Sequence, residues 1–251
     1  MSDSTKNESA FPATRWTAVM KLRSSDEETL VADKALASLC EQYWYPIYAF
    51  ARRSGKTAHD AQDITQGFFQ HILEKNLFAA ADPGLGKMRS FLLTAFQRYS
   101  NGQRIKDEAQ KRGGGQQIIS LDVSEGEERY HQEPSHALTP SAMFESAWAH
   151  AVIERSMARL KAIEEKAGRG RLHQALSVFL APDGNDQGQY AIISRELGMT
   201  EEALRQSVSR LRKRFRDTLR QEVADTLVAP TPEAVDAELQ ALKTAITGPA
   251  H

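Results

Sequence analysis

Residues Tyr190–Phe215 read YAIISRELGMTEEALRQSVSRLRKRF, and the fold of the second half of the chain turns on them. Ile193, Leu197, Met199 and Leu204 supply apolar residues where two helices would pack, and Ser194 supplies a small residue where they would cross. Gly198 falls at the turn, where glycine takes a left-handed backbone at little cost. Thr200 is placed to cap the second helix, with Glu201 and Glu202 in its first turn, where the helix dipole favours negative charge. These offsets predict a helix-turn-helix. Along the second helix, Leu204, Val208 and Leu211 recur at spacings of four and three and mark the buried stripe. Arg205, Gln206, Ser209, Arg210 and Lys213 then point outward. Arg and Gln pair bidentately with guanine and adenine edges in a major groove, and Ser donates to bases or phosphates. Arg212, Arg214 and Arg216 are expected to reach phosphates or solvent.

Charge is segregated along the chain. The 251 residues carry 32 Lys+Arg against 33 Asp+Glu, so the whole-chain balance says nothing of a polyanionic partner. Seven basic residues against two acidic ones lie between Lys87 and Arg112, and seven against three between Glu201 and Arg220. Asp122–Glu145, by contrast, has six acids and one Arg. Two basic blocks, separated and followed by acidic ones, suit two footprints on nucleic acid joined by a segment that avoids it.

The same map divides the chain. The expected organisation is all-α, with two small helical domains joined by a flexible acidic linker and the helix-turn-helix in the second. Residues 1–10 are expected to be disordered, 11–112 to form the first domain and 113–142 the linker, after Gly113, Gly114 and Gly115. Residues 143–228 form the second domain, with Thr139-Pro140 as its helix start, and 229–251 an amphipathic tail. Apolar spacing predicts helices over Ala32–Ala51, Ala58–Leu73 and Arg89–Tyr99. Gln117–Val123 is the one candidate strand, and Gly102 marks a point where the third helix is expected to break. The apolar runs are far shorter than a membrane span needs. The polar first ten residues do not read as a secretory signal.

The first domain carries HDAQDITQGFF at 59–69, in which Asp60, Asp63 and Gln66 share a polar ridge while Ile64 and Phe68 face the core. From Met88 to Arg112, aromatic residues interleave with basic and amide ones, a pattern that suits stacking on unpaired bases beside phosphate contacts.

An Asp-Ala-x-Asp-Ile-x-Gln-x-Phe-Phe helix, a basic–aromatic helix pair, an acidic linker and a helix-turn-helix ending in Ser-Arg-Leu-Arg-Lys-Arg together resemble a bacterial sigma factor. The chain is similar to the sigma-70 family in its extracytoplasmic-function (ECF) branch, over residues 11–112 and 143–246; Phe11–Trp16 and Val235–Leu242 resemble one ECF-like subgroup. The resemblance implies that Asp60, Asp63, Gln66 and Phe69 grip core RNA polymerase. It implies that Arg98, Tyr99, Asn101, Arg104 and Lys106 recognise and melt the −10 element of promoter DNA. Thr200, Arg205, Gln206, Ser209, Arg210 and Lys213 would read the −35 element. The linker would thread toward the polymerase active-site channel. A cytoplasmic location and regulation by an anti-sigma factor go with such a role.

Enzymatic readings find little purchase. Gly84-Leu-Gly-Lys87 resembles a phosphate loop, but Ala81 replaces its first glycine and Met88 follows the lysine. His59 and Asp63 find no third metal ligand at a suitable spacing. Cys40, the single cysteine, lies on an apolar helix face and reads as a buried thiol. No catalytic group, metal or cofactor is expected. The nearer alternative is a helix-turn-helix regulator that binds DNA without core polymerase, a protein with no need of the Asp60–Gln66 ridge.

Overall fold

The computed structural model describes residues 29–75, 77, 87–110, 123–132, 138–181, 187–227 and 230–247. Among these, every regular element is helical, as the spacing predicts. The order is α1 Thr29–Arg53, α2 Ala58–Glu74, α3 Met88–Gln110, α4 Val123–Gln132, α5 Pro140–Lys166 and α6 Gly170–Leu176, the last running into a 3-10 turn at Ser177–Leu180. Then follow α7 Gln187–Leu197, α8 Glu201–Ala224 and α9 Pro232–Thr247. Four of these helices open on a threonine cap. Thr57, Thr139, Thr200 and Thr231 accept, through Oγ1, the amides of Asp60, Ala142, Ala203 and Ala234 at 3.1–3.2 Å.

The chain forms two compact units, residues 1–151 with 223–251, and residues 152–222. The divisions between these units fall inside α5 and inside α8, and residues 230–247 group with the first unit. Helical spacing locates elements, but it does not say which of them share a core.

In the first unit, Tyr43, Ile47 and Tyr48 of α1, Phe68 and Ile72 of α2 and Met88, Leu92 and Phe96 of α3 are buried. So are Phe144 and Trp148 of α5 and Val235 and Leu242 of α9. Phe96 meets Phe50 and Phe68 edge-on at 5.9 and 5.2 Å, pinning α1, α2 and α3 together. Helix α3 is continuous where a helix pair was expected, passing through Gly102 without a break. One helical glycine costs about 1 kcal/mol, less than the burial of Leu92 and Phe96 returns.

The expected flexible linker is corrected over part of its length, because Val123–Gln132 is a helix seated on α1. Gly126 lies against Trp44, so close that a methyl group there would stand 3.1 Å from the ring. Glu127 accepts two hydrogen bonds from Arg52, at 2.6 and 2.9 Å, and one from the buried Tyr48 hydroxyl. Tyr130 lies beneath the Arg52 guanidinium at 4.9 Å. An acidic, proline-flanked composition argues for solvation, but it does not reveal that one carboxylate has a bidentate arginine waiting on another helix. The candidate strand lies outside the described residues except for Val123, which opens α4. The expected disordered residues 1–10 and the triple glycine also lie outside them.

The second unit closes over Leu160, Leu176, Phe179, Tyr190, Leu204, Val208 and Leu211, with Leu172, Ile193, Leu197 and Phe215 packed at its edge. Each such side chain contributes roughly 1.5–3 kcal/mol on burial.

Candidate nucleic-acid interface

Helix α7 ends on a left-handed glycine. Gly198 has φ +63°, its amide donates to Arg195 O at 3.2 Å, and the Met199 amide donates to Ser194 O at 2.9 Å. These two bonds satisfy the last carbonyls of α7 and reverse the chain within three residues. Ser194, where the helices approach, is buried and donates its own hydroxyl to Ala191 O. Thr200 then starts α8, so the turn and cap stand where the sequence puts them.

Helix α8 has two faces. Leu204, Val208 and Leu211 are at most 2% exposed, whereas Thr200, Arg205, Gln206, Ser209, Arg210 and Lys213 are all exposed. The polar side chains near its start are held by its own first turn: Arg205 pairs with Glu201 at 3.4 Å and Gln206 donates to Glu202 at 3.3 Å. Arg205 also stands 5.4 Å from the Tyr190 ring, which stacks on Phe179 at 4.3 Å. The result is a row of cationic and amide groups a little over two helical turns long, from Arg205 to Lys213, which can meet phosphates and base edges.

Two arginines expected at phosphates are instead structural. Arg212 donates twice to the Phe179 carbonyl, at 2.9 and 3.1 Å, closing the 3-10 turn. Arg214 forms an ion pair with Glu164, which is 1% exposed and also accepts from Arg169 at 2.7 and 3.1 Å. The Arg169 hydrogen bonds, against the cost of burial, hold the Glu164 carboxyl below its ordinary range. No spacing rule marks these arginines, because their acceptors lie 33 and 50 residues away in the chain. Arg216 is exposed, as expected.

In the first unit, α2 and α3 line a cleft of about 680 Å³. Gln70, His71, Phe91, Arg98, Tyr99 and Gln103 are among its walls. Tyr99 is half-buried, 5.2 Å from the His71 ring and 5.8 Å from Phe68, and its hydroxyl accepts from Gln103 at 2.8 Å. It lies over Gly67, where a methyl group would come within 2.6 Å of the Tyr99 hydroxyl. Arg98 is exposed at the same cleft, and Asn101 and Arg104 are exposed further along α3. Lys106 is on α3, with its side chain outside those described. His71, Gln70 and Phe91 carried no signal of their own in the sequence; only the crossing of α2 on α3 gathers them. Arg89 and Lys87, counted in the basic block, are instead consumed by ion pairs with Glu145 and Glu238.

The acidic ridge divides differently. Asp60 and Asp63 are exposed and Gln66 is half-buried, but Phe69 is 6% exposed and packs on Phe68 at 5.4 Å. Phe69 is thus a core residue rather than part of the exposed ridge, since it lies nine and six positions from the two aspartates, off their face. His59 pairs with Asp63 at 3.0 Å across one helical turn. Among the described residues no group of His, Cys, Asp or Glu is arranged to hold a metal. No helix described is long and apolar enough to cross a membrane. Cys40 is half-buried, and burial, with Glu41 nearby, pushes its thiol up to about 11. Against known proteins, the chain matches no family model, no curated protein and no solved structure.

Proposed function

We propose that this chain is a sigma factor of the ECF type, a non-enzymatic cytoplasmic subunit that binds core RNA polymerase and directs it to promoter DNA. The observation that carries the reading is the outer face of α8. Arg205, Gln206, Ser209, Arg210 and Lys213 are exposed together behind the Gly198 turn, opposite a stripe at most 2% exposed. With α7 this is the pattern of a helix-turn-helix, whose second helix enters a major groove. In this reading it takes the −35 element.

The α2–α3 cleft takes the unstacked strand of the −10 element. Tyr99, Phe91 and His71 offer ring faces, Arg98 a cation, and Gln70 and Gln103 amides, the combination that holds unpaired bases. Asn101, Arg104 and Lys106 continue that surface along α3. Asp60 and Asp63, exposed on α2 with Gln66 beside them, meet core polymerase. An anti-sigma factor is the class of regulator such a protein would answer to.

The test is capture of bacterial core RNA polymerase by the purified chain, beside the double variant Asp60→Arg, Asp63→Arg. Capture by the wild type and its loss in the variant support both the reading and the surface. Capture by both keeps the sigma reading and discards the ridge. No capture at micromolar concentration, with tight duplex binding instead, makes the chain a conventional DNA-binding regulator.

A further inference from the structure

Helix α9 carries none of the residues given a role above, yet it is built into the first unit in an unusual way. Val235, Glu238 and Leu242, at spacings of three and four, form its buried face, and the Glu238 side chain is 1% exposed. A carboxylate set between two buried apolar residues is costly unless it is fully paired. Its partners are the two cations at the start of α3. Lys87 pairs with it directly, and Arg89 reaches it at 3.1 Å. The Arg89 guanidinium also contacts Glu145 at 2.6 Å and lies 4.2 Å over the Trp148 ring. The backbone is tied at the same place, Met88 N donating to Thr226 O at 3.3 Å beside an antiparallel bridge between Lys87 and Leu227.

A leucine at 238 would extend the apolar stripe of α9 but leave the buried Arg89 with Glu145 as its carboxylate. What a carboxylate adds is direction, because it engages side chains from both sides of Met88 at once. That sets the rotation of α3 about its own axis in its first turn. Successive residues of a helix are about 100° apart, so a slip of one position would swing Arg98 and Tyr99 off the cleft. We propose that α9 positions the polar face of α3, with Glu238 as the positioning residue that decides which side chains line the cleft. The positioning stands on the first unit alone; that the cleft takes single-stranded nucleic acid rests on the reading proposed above.

The experiment uses the full-length chain with Glu238→Leu, Glu238→Gln and, on the exposed face of α9, Asp236→Asn. Three quantities are measured: the thermal midpoint, amide exchange in α3 and α8, and affinity for a fluorescein-labelled single-stranded DNA of random sequence. Glu238→Leu removes one partner of a buried ion-paired cluster, but Arg89 keeps Glu145 at 2.6 Å and Lys87 is exposed enough to reach water, so its midpoint is expected to fall modestly. Beyond that loss, α3 is expected to exchange about tenfold faster with α8 unchanged and the oligonucleotide to bind about tenfold more weakly. Glu238→Gln is expected to show the same binding loss, and Asp236→Asn none of it. Unchanged α3 exchange in Glu238→Leu, or exchange raised equally throughout the first unit, overturns the proposal. Faster α3 exchange in a chain whose wild type captures neither oligonucleotide nor core polymerase retains the positioning role and removes the sigma reading.

Discussion

Arg214 meets the buried Glu164 at 2.8 Å within the second unit, while Arg210, one turn earlier on the same helix, is exposed. The basic run that looks uniform in the sequence is thus split by the helix into residues that hold the unit together and residues left for a partner. Truncating Arg214 to Ala leaves the buried Glu164 carboxylate paired with Arg169. The expected cost is about 1–2 kcal/mol, because Arg169 keeps both of its hydrogen bonds to Glu164 and the Arg214 side chain is partly exposed, against roughly 0.5 kcal/mol or less for Lys213→Ala. Denaturant unfolding of the two variants checks the difference.

DNA binding should separate in the opposite sense. If Arg210 makes a bidentate base contact, Arg210→Ala weakens binding to the preferred upstream element by roughly 1–3 kcal/mol and relaxes its sequence preference. Arg212→Ala lowers stability instead, because the Phe179 carbonyl loses both of its arginine hydrogen bonds. Titration of labelled duplexes with cognate and shuffled elements distinguishes them. An equal loss on every sequence assigns Arg210 to a phosphate.

The turn before α8 offers a test free of packing effects. Nothing lies within 4 Å of the position a Cβ would take at Gly198, so Gly198→Ala meets only the strain of φ +63°. The expected loss is about 1–2 kcal/mol, with the core of the unit unaltered. A midpoint shift in thermal unfolding measures it, and a stability equal to wild type would mean that the turn had rearranged.

Helix α4 depends on one carboxylate. Burial opposes ionisation of Glu127, but the hydrogen bonds from Arg52 and Tyr48 outweigh it and hold its carboxyl below the usual range. Glu127→Gln keeps the shape and removes the charge shared by Arg52 and the buried Tyr48. Amide exchange over Val123–Gln132 should rise about tenfold or more, while α2 and α3 keep their protection.

The acid stability of the second unit follows from Glu164. Its folded-state value lies below the ordinary 4.5, so its contribution is full above that value and is lost as pH falls through the depressed one. Glu145 has the opposite sign: burial raises its value, so it opposes folding progressively as pH rises through that raised value. Glu164→Gln should therefore be less stable than wild type near pH 6, with the gap closing as pH falls below the ordinary carboxylate range. Unfolding midpoints across that range report it, and a gap that widens in acid would contradict the assignment.

Local rules made much of the fold legible. The spacing of Leu204, Val208 and Leu211 located the buried face of α8, because a helix repeats every 3.6 residues whatever it packs against. Gly198 and Thr200 marked the turn and the cap through backbone demands that act over three or four residues. The threonine cap at Thr139 and the extents of α1 and α2 were readable for the same reason.

Other features depended on residues far apart in the chain. Whether an arginine pairs with a carboxylate 50 positions away, as Arg214 does with Glu164, is set by where helices cross, and no local period encodes it. For that reason the sequence counted Arg89, Lys87, Arg212 and Arg214 as available charge, took α4 for a linker and left α9 without a place. The resemblance named Phe69 beside the polar ridge as a polymerase contact, and it packs against Phe68 in the core. What the sequence by itself determined are the extents of α1 and α2, the turn and cap before α8 and the face that helix turns outward, all consequences of short-range backbone geometry. What only the tertiary structure decided is which charges are already spent inside the protein, because pairing across a core depends on contacts between segments that sequence spacing does not relate.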